Sequence, residues 1–358
     1  MKILLIGDPH FKRDNLDIMS KVCSEILELI DQRKPNLVIS LGDSLDTHER
    51  LYLPALTNAT KFYTEIAKRC ELIVLIGNHD RQNNSDFLSE MHPFVGLKSH
   101  PSITIVDTTI WDKEKNFIYV PYVANGRFNE ALSKVDYYPF KDGVVDLKIT
   151  EKPRLIFAHQ EFEGCLMGVL TSTSGDVWSQ HLPQIFSGHI HEYQCLGKVC
   201  FVGTPVQQNY GEGTDKALMM VYLEEEASDQ KPSMRCERIR LTSAPVRTTI
   251  HMTITELPNF ANMIPPNCMV KVVMHIDAID SAALKINPLY LALKSSVDKV
   301  TEKIVSDRSS VAQTMVNSFK EKGSLDITKK IFSINELVQA MLIEDQYALN
   351  IYQTEIAV

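Results

Sequence analysis

Short apolar segments alternate with amphipathic ones over the first eighty residues of the chain. The apolar runs Ile3–Ile6, Leu37–Leu41 and Leu72–Ile76 are each followed by a glycine and then a polar residue. Between them, apolar residues recur every three or four positions, from Leu16 to Ile30 and from Leu56 to Ile66. This pattern predicts a strand-helix-strand-helix-strand order, with parallel strands joined by right-handed crossovers.

The helical periods fade from about residue 100, and short apolar runs with short connections follow. These runs predict two sheets packed together with outer helices. The predicted strands are Ile103–Val106, Phe117–Val120, Leu155–Ala158, Gln184–Ser187, Cys195–Val202 and Ala217–Leu223.

A second unit begins near Pro245. Val246–Ile254 and Met269–Ile276 have the pattern of strands and Leu289–Val300 that of a helix, so the unit is α+β in character. We predict a first domain over 1–243, a smaller α+β domain over 244–308, a linker over 309–326 and a helical segment over 327–358. The apolar residues of the last segment recur at helical spacing. It is either a helical hairpin folded on the chain's own core or a docking segment for a partner helix.

Composition narrows the class of protein. The chain has 358 residues, of which 44% are hydrophobic and 23% charged, and these values exclude disorder and collagen-like structure. No apolar run approaches the roughly 18 residues that a membrane-spanning helix needs. The N-terminal apolar stretch stops at Gly7, too short for a signal peptide, so we expect an intracellular, cytoplasmic protein.

The charge and the cysteines exclude further classes. A net charge of −8 argues against a protein that holds nucleic acid by bulk positive charge, although acidic metal ligands would also lower the count. The seven cysteines are odd in number and form no Cys-x-x-Cys pair, which excludes a disulfide framework or a zinc ribbon. We expect most of them to be small buried hydrophobes.

Five short polar motifs stand at predicted strand ends, where open α/β sheets place their ligands. Each is weak alone, but in an extended segment residues two apart face the same way and can converge on one point. Adjacent residues face opposite ways and suit different roles. The motifs are Asp8-Pro9-His10, Gly42-Asp43-Ser44-Leu45-Asp46, Gly77-Asn78-His79-Asp80, Ala158-His159-Gln160 and Gly188-His189-Ile190-His191.

The motifs together supply a mixed nitrogen and oxygen donor set without a thiolate. Such a set suits Mn²⁺, Fe²⁺ or Zn²⁺. Seven donors are too many for one ion, but two ions about 3.5–4 Å apart that share one carboxylate would use them all. The donors are Asp8, His10, Asp43, Asn78, His159, His189 and His191.

In this order the five motifs resemble the calcineurin-like metallophosphoesterase superfamily. They resemble more narrowly the SbcD family of double-strand-break repair nucleases, called meiotic recombination eleven in eukaryotes. The segment Gly203–Glu212 is similar to that family's segment after the last histidine motif, and the chain continues into an α+β unit and a helical tail, as these nucleases do. The resemblance implies an α/β fold, namely a four-layer αββα sandwich with a smaller α+β cap domain and a helical C-terminal tail.

The resemblance also implies roles for single residues. His79 would contact the scissile phosphate and protonate the leaving 3′ oxygen, and Asp46 would orient His79 by accepting its second ring N–H. Two divalent metal ions are implied, with Mn²⁺ expected and Mg²⁺ as the alternative. Asp8, His10 and His191 would hold the first ion, Asn78, His159 and His189 the second, and Asp43 would bridge them.

The implied activity is that of a DNA nuclease in double-strand-break repair, recombination and replication. It would be a 3′→5′ exonuclease on duplex ends and an endonuclease on single strands. A homodimer is expected, and the segment 327–358 would bind the coiled-coil base of an SbcC-type SMC-like ATPase. Lys12, Arg13 and Arg81 follow metal motifs and are candidates for contacts with DNA phosphates, the alternative being solvated loop charges.

Two rival functions remain. A phosphatase or cyclic-nucleotide phosphodiesterase on the same fold would turn over small phosphoesters and lack a cap. A non-catalytic scaffold would have lost metal ligands, whereas all seven are present. The loop 161–183 follows no pattern that predicts its role.

Overall fold

The computed structural model describes residues 1–304 except 49, 142, 147, 149–150, 225–232 and 277–279. The predicted linker 309–326 and helical segment 327–358 therefore lie outside the described residues. Packing divides the described residues into one unit of Met1–Met274 with Pro288–Thr301, and a second that contains His275–Asn287 and the described residues from Glu302. The domain boundary at 243/244 stays a prediction. No helix in the described ranges is long and apolar enough to cross a membrane.

The described residues form helices and strands in the following chain order. The helices are α1 Leu16–Arg33, α2 Leu53–Ala67, α3 Phe128–Ser133, α4 Phe260–Met263, α5 Ser281–Lys285 and α6 Pro288–Ser296, with 3₁₀ turns at Arg13–Asn15, Val95–Ser99 and Ile254–Asn259. The strands up to residue 150 are β1 Lys2–Ile6, β2 Leu37–Ser40, β3 Glu71–Leu75, β4 Ile103–Val106, β5 Ile110–Asp112, β6 Phe117–Val120, β7 Phe140–Lys141 and β8 Val144–Val145. The later strands are β9 Leu155–His159, β10 Leu166–Met167, β11 Leu170–Thr171, β12 Gln184–Gly188, β13 Gln194–Leu196, β14 Val199–Phe201, β15 Leu218–Leu223, β16 Met234–Ile239, β17 Val246–Thr253, β18 Cys268–Ile276 and β19 Lys299–Ile304.

Two six-stranded sheets form the centre of the first unit. The first has the order β16-β15-β1-β2-β3-β4, and its strands β1 to β4 pair in parallel, which confirms the parallel pairing predicted for the first three. The second has the order β13-β14-β12-β9-β6-β5, with a parallel core of β14, β12, β9 and β6. Parallel strands are covered on both faces, so their apolar runs are continuous rather than alternating.

The side chains of β1 show how the layers form. Successive residues of a strand point to opposite faces, so Ile3 and Leu5 join the core between the two sheets, while Leu4 and Ile6 pack with α1 and α2. The outer face of the second sheet is covered by α3, through Phe128, and by the loop 161–183, through Phe162. The order helix-sheet-sheet-helix is the predicted four-layer α/β sandwich.

The region after the sandwich is α+β, as predicted. Strands β17, β18 and β19 form a three-stranded sheet, and α6 lies between the last two along the chain.

Several predicted elements differ from those observed. The predicted strand Cys195–Val202 is a hairpin of β13 and β14, because Gly197 turns the chain with φ +58°. The predicted helix Leu289–Val300 ends at Ser296, and its last residues begin β19. Strands β5 and β16 were not predicted, since both lie at sheet edges and their side chains are largely half-exposed or exposed.

The prediction for the cysteines is wrong in part. Cys195 and Cys200 are directly opposed on β13 and β14 and form a disulfide. Among the others Cys165 is buried and Cys236 is exposed. Chain spacing does not reveal the pair, because the residues from Cys195 to Val202 have the apolar pattern of a single strand.

Candidate metal centre

The strand ends of both sheets bring the motifs together. Asp8, Asp43 and Asn78 follow the parallel strands β1, β2 and β3 of the first sheet, whose ends lie side by side. His159 ends β9 in the second sheet, and its register partner on β12 is Gly188, the residue before His189. Parallel strands of one sheet end at the same edge, and His159 and His189 of the second sheet bond Leu41 and Asp8 of the first, so five ligand candidates from distant parts of the chain meet there.

Asp8, His10 and His191 form the first group of donors, with ligand atoms within 4.8 Å of one another. The Nε2 atoms of His10 and His191 are 3.0 Å apart, which requires a proton or a cation between them. Asp8 Oδ2 accepts the His189 backbone N–H at 2.8 Å, whereas its Oδ1 is buried without a hydrogen-bond partner. A buried carboxylate oxygen without a partner is costly unless a cation binds it.

The second group is Asp43, His159 and His189, which lie equally close together. The side-chain oxygen of Asn78 joins them, 3.0 Å from His159 Nε2 and 2.8 Å from His189 Nδ1. The amide oxygen thus faces the same space as the two imidazoles, and all seven predicted ligands lie in one cluster.

Asp43 lies between the two groups. Its Oδ1 is 3.3 Å from His159 Nε2 of the second group, and its Oδ2 is 3.8 Å from His10 Nε2 of the first. One carboxylate oxygen therefore faces each group, as a bridging ligand requires. These residues fit two divalent cations, because their donor atoms are of a suitable type and most of them are buried. In addition, Asp8 Oδ1 has no hydrogen-bond partner and is open to a cation.

Hydrogen bonds outside the cluster orient two of the imidazoles. His159 Nδ1 donates to the Leu41 carbonyl at 2.7 Å, and His191 Nδ1 donates to Glu212 Oε1 at 2.9 Å, so both Nε2 atoms point inward. Such partners commonly fix the tautomer of metal-binding histidines. Glu212 was not predicted as a site residue, although it ends the segment Gly203–Glu212 on which the family resemblance partly rests.

Backbone strain is concentrated in the cluster. His10, Asp43 and His189 all have left-handed φ values, of 45°, 46° and 76°. Each such residue other than glycine costs about 1–3 kcal/mol and is held by its surroundings. Gly77 permits close packing beside Asp43, because a Cβ on it would lie 2.2 Å from Asp43 Oδ1.

Asp80 holds two ligand loops together. It is buried, and its carboxylate accepts the backbone N–H groups of Ser44, Leu45 and Gly77 at 2.9–3.1 Å. It thereby ties the loop of Asp43 to the loop of Asn78. Asp80 stands in a predicted motif, but its role depends on a partner segment distant in sequence.

His79 lies at the rim of this cluster. Its Nε2 is 4.0 Å from Asp43 Oδ2, and its side chain is 32% exposed. Its Nδ1 is 3.0 Å from the backbone carbonyl of Asp46, to which it donates. The predicted partner was the Asp46 carboxylate, which instead lies 3.4 Å from His10 Nδ1 and 3.3 Å from Lys12 Nζ. His79 thus lies beside the donor cluster, and the backbone carbonyl of Asp46, not the predicted carboxylate, fixes its ring.

The three candidates for DNA contacts have different surroundings. Arg13 is exposed, with its guanidinium 5.9 Å from the centre of the Tyr52 ring, and Lys12 is paired with Asp46. Arg81 is 2% exposed and donates to the carbonyl groups of Tyr122 and Asp86. The prediction for Arg81 is therefore wrong, because it holds two loops together and does not face solvent.

The loop 161–183 is fixed by buried carboxylates. Asp176 accepts hydrogen bonds from Gln160 Nε2 at 2.8 Å and from the backbone N–H of Gly126 at 3.1 Å. Glu161 accepts from Ser172 and, at 3.1 Å, from Asn125. These bonds join the loop to the chain just before α3, which gives it a structural role.

Charges within the cluster set the protonation of the metal-free protein. Burial raises the pKa of Asp8 to about 6 and lowers that of His10 to about 3 and that of His189 to about 4. Burial would also lower the pKa of His159, but the carboxylates of Asp43 and Asp8 outweigh it and raise this pKa to about 9. Burial opposes ionisation of Asp43, yet His159 and its other imidazole neighbours hold the Asp43 pKa well below its usual range.

Metal binding at pH 7 should therefore release at least one proton per chain. A metal ion needs the lone pair of His159, which is protonated in the metal-free protein, whereas His10 and His189 are already neutral. Release should increase toward pH 6, where Asp8 also takes up a proton, and the His159 contribution should disappear above pH 9. Calorimetric titration with Mn²⁺ in buffers of different ionisation enthalpy measures the number. Binding without proton release at pH 7 would contradict this charge arrangement.

Comparison with known proteins agrees with the geometry. The sequence profile described as "Calcineurin-like phosphoesterase" matches residues 1–193, which contain all seven donors and His79. The chain is 38% identical over 258 residues to "Putative phosphoesterase 244L" of Invertebrate iridescent virus 6, covering 71% of this chain and 86% of the relative. It is 35% identical over 221 residues to "Putative phosphoesterase 078R" of Invertebrate iridescent virus 3, covering 61% of each.

The family profile spans more than half of the chain and ends just beyond the last histidine motif, whose side chains complete both donor groups. The iridescent virus relatives extend the similarity into the segment that follows. The chain therefore belongs to the calcineurin-like phosphoesterases, a family of metal-dependent hydrolases whose fold binds two divalent ions.

Proposed function

We propose that the chain is a two-metal phosphodiesterase that cleaves DNA. It would act as a 3′→5′ exonuclease on duplex ends and as an endonuclease on single strands, in double-strand-break repair, recombination and replication. The proposal goes beyond the family, whose members include phosphatases, and rests on the part of the chain that follows the sandwich.

One observation carries the proposal. Strand β17, the first of the predicted cap, is fixed to the segment that borders the metal centre. Arg247 on β17 donates its backbone N–H to Gln207 Oε1 at 2.7 Å and its Nε–H to the Gln207 carbonyl at 3.1 Å. Glu212 of the same segment bonds His191. The additional α+β region is attached beside a metal ligand, and this position favours a long substrate over a small phosphoester.

The chemistry follows from the donor set and from His79. Two bound divalent ions would neutralise the phosphodiester charge and lower the pKa of an attacking water. The attacking water would give up a proton to solvent as its oxygen bonds to phosphorus, and the bond from phosphorus to the 3′ oxygen would break. His79, held by the Asp46 carbonyl, donates the Nε2 proton of its imidazolium to the departing 3′ oxygen.

We propose Mn²⁺ as the working ion, with Mg²⁺ as the alternative. Four imidazoles in the donor set favour manganese, since magnesium prefers oxygen ligands and keeps more of its water. The ratio of the activity with Mn²⁺ to the activity with Mg²⁺, measured when both ions fill the sites to the same extent, tests this choice.

The test of function compares three substrates. The protein with Mn²⁺ should shorten end-labelled duplex DNA from its 3′ ends, cut circular single-stranded DNA, and hydrolyse bis-p-nitrophenyl phosphate. A chelator should abolish all three activities. Hydrolysis of the nitrophenyl diester or of a cyclic nucleotide without cleavage of either DNA would instead establish the alternative, a small-molecule phosphoesterase.

We also propose that the segment 327–358 binds the coiled-coil base of an SbcC-type SMC-like ATPase and that the catalytic domain forms a homodimer. The first proposal is supported by the helical spacing of apolar residues in that segment, which lies outside the described residues, and the second by the family resemblance of the sequence motifs. Deletion from Ile327 should abolish co-purification with the ATPase and leave metal binding intact. Unchanged co-purification, or a monomer by light scattering at micromolar concentration, would contradict the respective proposal.

A further inference from the structure

A cavity of about 660 Å³ opens beside His79. Its lining comes from two loops, one after Asp43 and one after Asn78, and includes Asp46, His48, Arg50, Gln82, Asn83 and Asn84. The volume is within the range of about 300–1,000 Å³ that is usual for small-molecule sites. None of these six residues is a metal ligand candidate, so the cavity adjoins the donor cluster without sharing a ligand with it.

Two residues of the lining contact His79, the residue that would protonate the leaving oxygen. The rings of His48 and His79 are stacked, with centroids 4.6 Å apart and planes inclined by 21°. Asp46, also in the lining, holds His79 through its carbonyl. A phosphodiester whose leaving oxygen lies at His79 would therefore carry its leaving group next to residues of this lining.

The side chains in the cavity suit a nucleotide. Gln82 and Asn84 have exposed amides, which can donate to and accept from the edge of a base. The side-chain oxygen of Asn83 accepts the backbone N–H groups of Ser85 and Asp86, so its own N–H groups remain for a ligand. The face of an imidazole such as His48 offers a stacking surface for a base.

The charge in the cavity favours a phosphate at Arg50. Among the residues that the structure describes, no carboxylate is paired with Arg50, which is exposed. Asp46, the acidic residue among the described residues of the lining, is already paired with Lys12 at 3.3 Å. A guanidinium binds phosphate through two parallel hydrogen bonds, so Arg50 is suited to the next phosphate along a strand.

We propose that this cavity is the subsite for the nucleotide on the 5′ side of the scissile bond, whose 3′ oxygen leaves. The amides contact its base, and Arg50 contacts the phosphate beyond it. This inference rests on the proposed nuclease function and specifies where the retained end of the strand is held. It gives His48, Arg50 and residues 82–84 a binding role that the metal chemistry does not require.

Two substrates that differ only in the leaving group test the subsite. Thymidylyl-thymidine with a 5′ phosphate and the p-nitrophenyl ester of thymidine 5′-phosphate both yield thymidine 5′-phosphate, but only the first presents a nucleotide to the cavity. In Arg50→Ala and in Asn84→Ala the ratio of kcat/KM for the first substrate to that for the second should fall about tenfold or more, the scale of a lost hydrogen bond to a charged or polar partner. Binding of the dinucleotide to the metal-free protein should weaken in parallel.

Two control variants lie away from the cavity. Asn58→Ala on α2 and Arg235→Ala on β16 remove the same side-chain types from exposed positions away from the cavity and should leave the ratio unchanged. Equal losses on both substrates, or no loss, with a wild-type protein that cleaves DNA would overturn the subsite and leave the nuclease function standing. A wild-type protein that hydrolyses the nitrophenyl ester but neither the dinucleotide nor DNA would overturn both.

Discussion

Replacing Asp43 by asparagine should deplete both metal sites and abolish turnover. Asp43 directs one oxygen to each donor group, and the substitution removes the negative charge and turns one of the two oxygens into a nitrogen without a free lone pair. We expect the bound Mn²⁺ to fall from about two ions per chain to below one, and activity to fall with it, because both ions share this ligand. Metal content after gel filtration, measured by mass spectrometry, tests the result.

The fold should survive this change. The amide oxygen of asparagine can still accept the backbone N–H of His79, which the Asp43 carboxylate accepts at 2.8 Å. Asp31→Asn on the exposed face of α1 is the matched control and should keep both ions. A variant at position 43 that retains two ions and full activity would show that Asp43 does not bridge them.

Replacing His79 by alanine should leave both metals in place and lower turnover of DNA by about 10²–10⁴-fold, the usual size of an acid-base contribution. The side chain contacts the Asp46 carbonyl and stacks on His48, and it lies at the rim of the donor cluster. The loss should be much smaller for bis-p-nitrophenyl phosphate. Its nitrophenolate leaves without a proton, so an acid contributes little to its hydrolysis.

Metal content separates this role from a structural one. His181→Ala removes an exposed histidine and serves as the control for the loss of an imidazole. If His79→Ala loses both ions, or if it slows the nitrophenyl diester as much as DNA, His79 is not a proton donor to the leaving group.

Sequence patterns predicted most of the sandwich because its parallel strands are buried on both faces. Such strands appear as continuous apolar runs, and the polar residues after Ile6, Leu41 and Ile76 mark their ends. The convergence of the seven donors followed from the same rule, since parallel strands end at one edge. Edge strands such as β16 were not predicted, because their half-exposed side chains do not form a continuous apolar run.

The residues that orient the site were not predictable in the same way. Glu212 bonds His191 from 21 positions away, and Asp80 bonds backbone groups of a loop 35 and 36 positions earlier. The His79 partner is a carbonyl group, which every residue possesses and no sequence pattern distinguishes. Arg81 has the charge expected of a DNA contact, but burial among backbone carbonyls gives it a different role.

The donors come from both sheets, and this has a mechanical consequence. Asp8 and Asn78 follow strands of the first sheet, while His159 and His189 lie at strand ends of the second. Ions held by all of them would cross-link the two sheets at one edge, whereas the core between the layers is built from apolar side chains. Such a cross-link exists only in the folded state. The free energy needed to separate the two sheets should therefore increase with the free metal concentration.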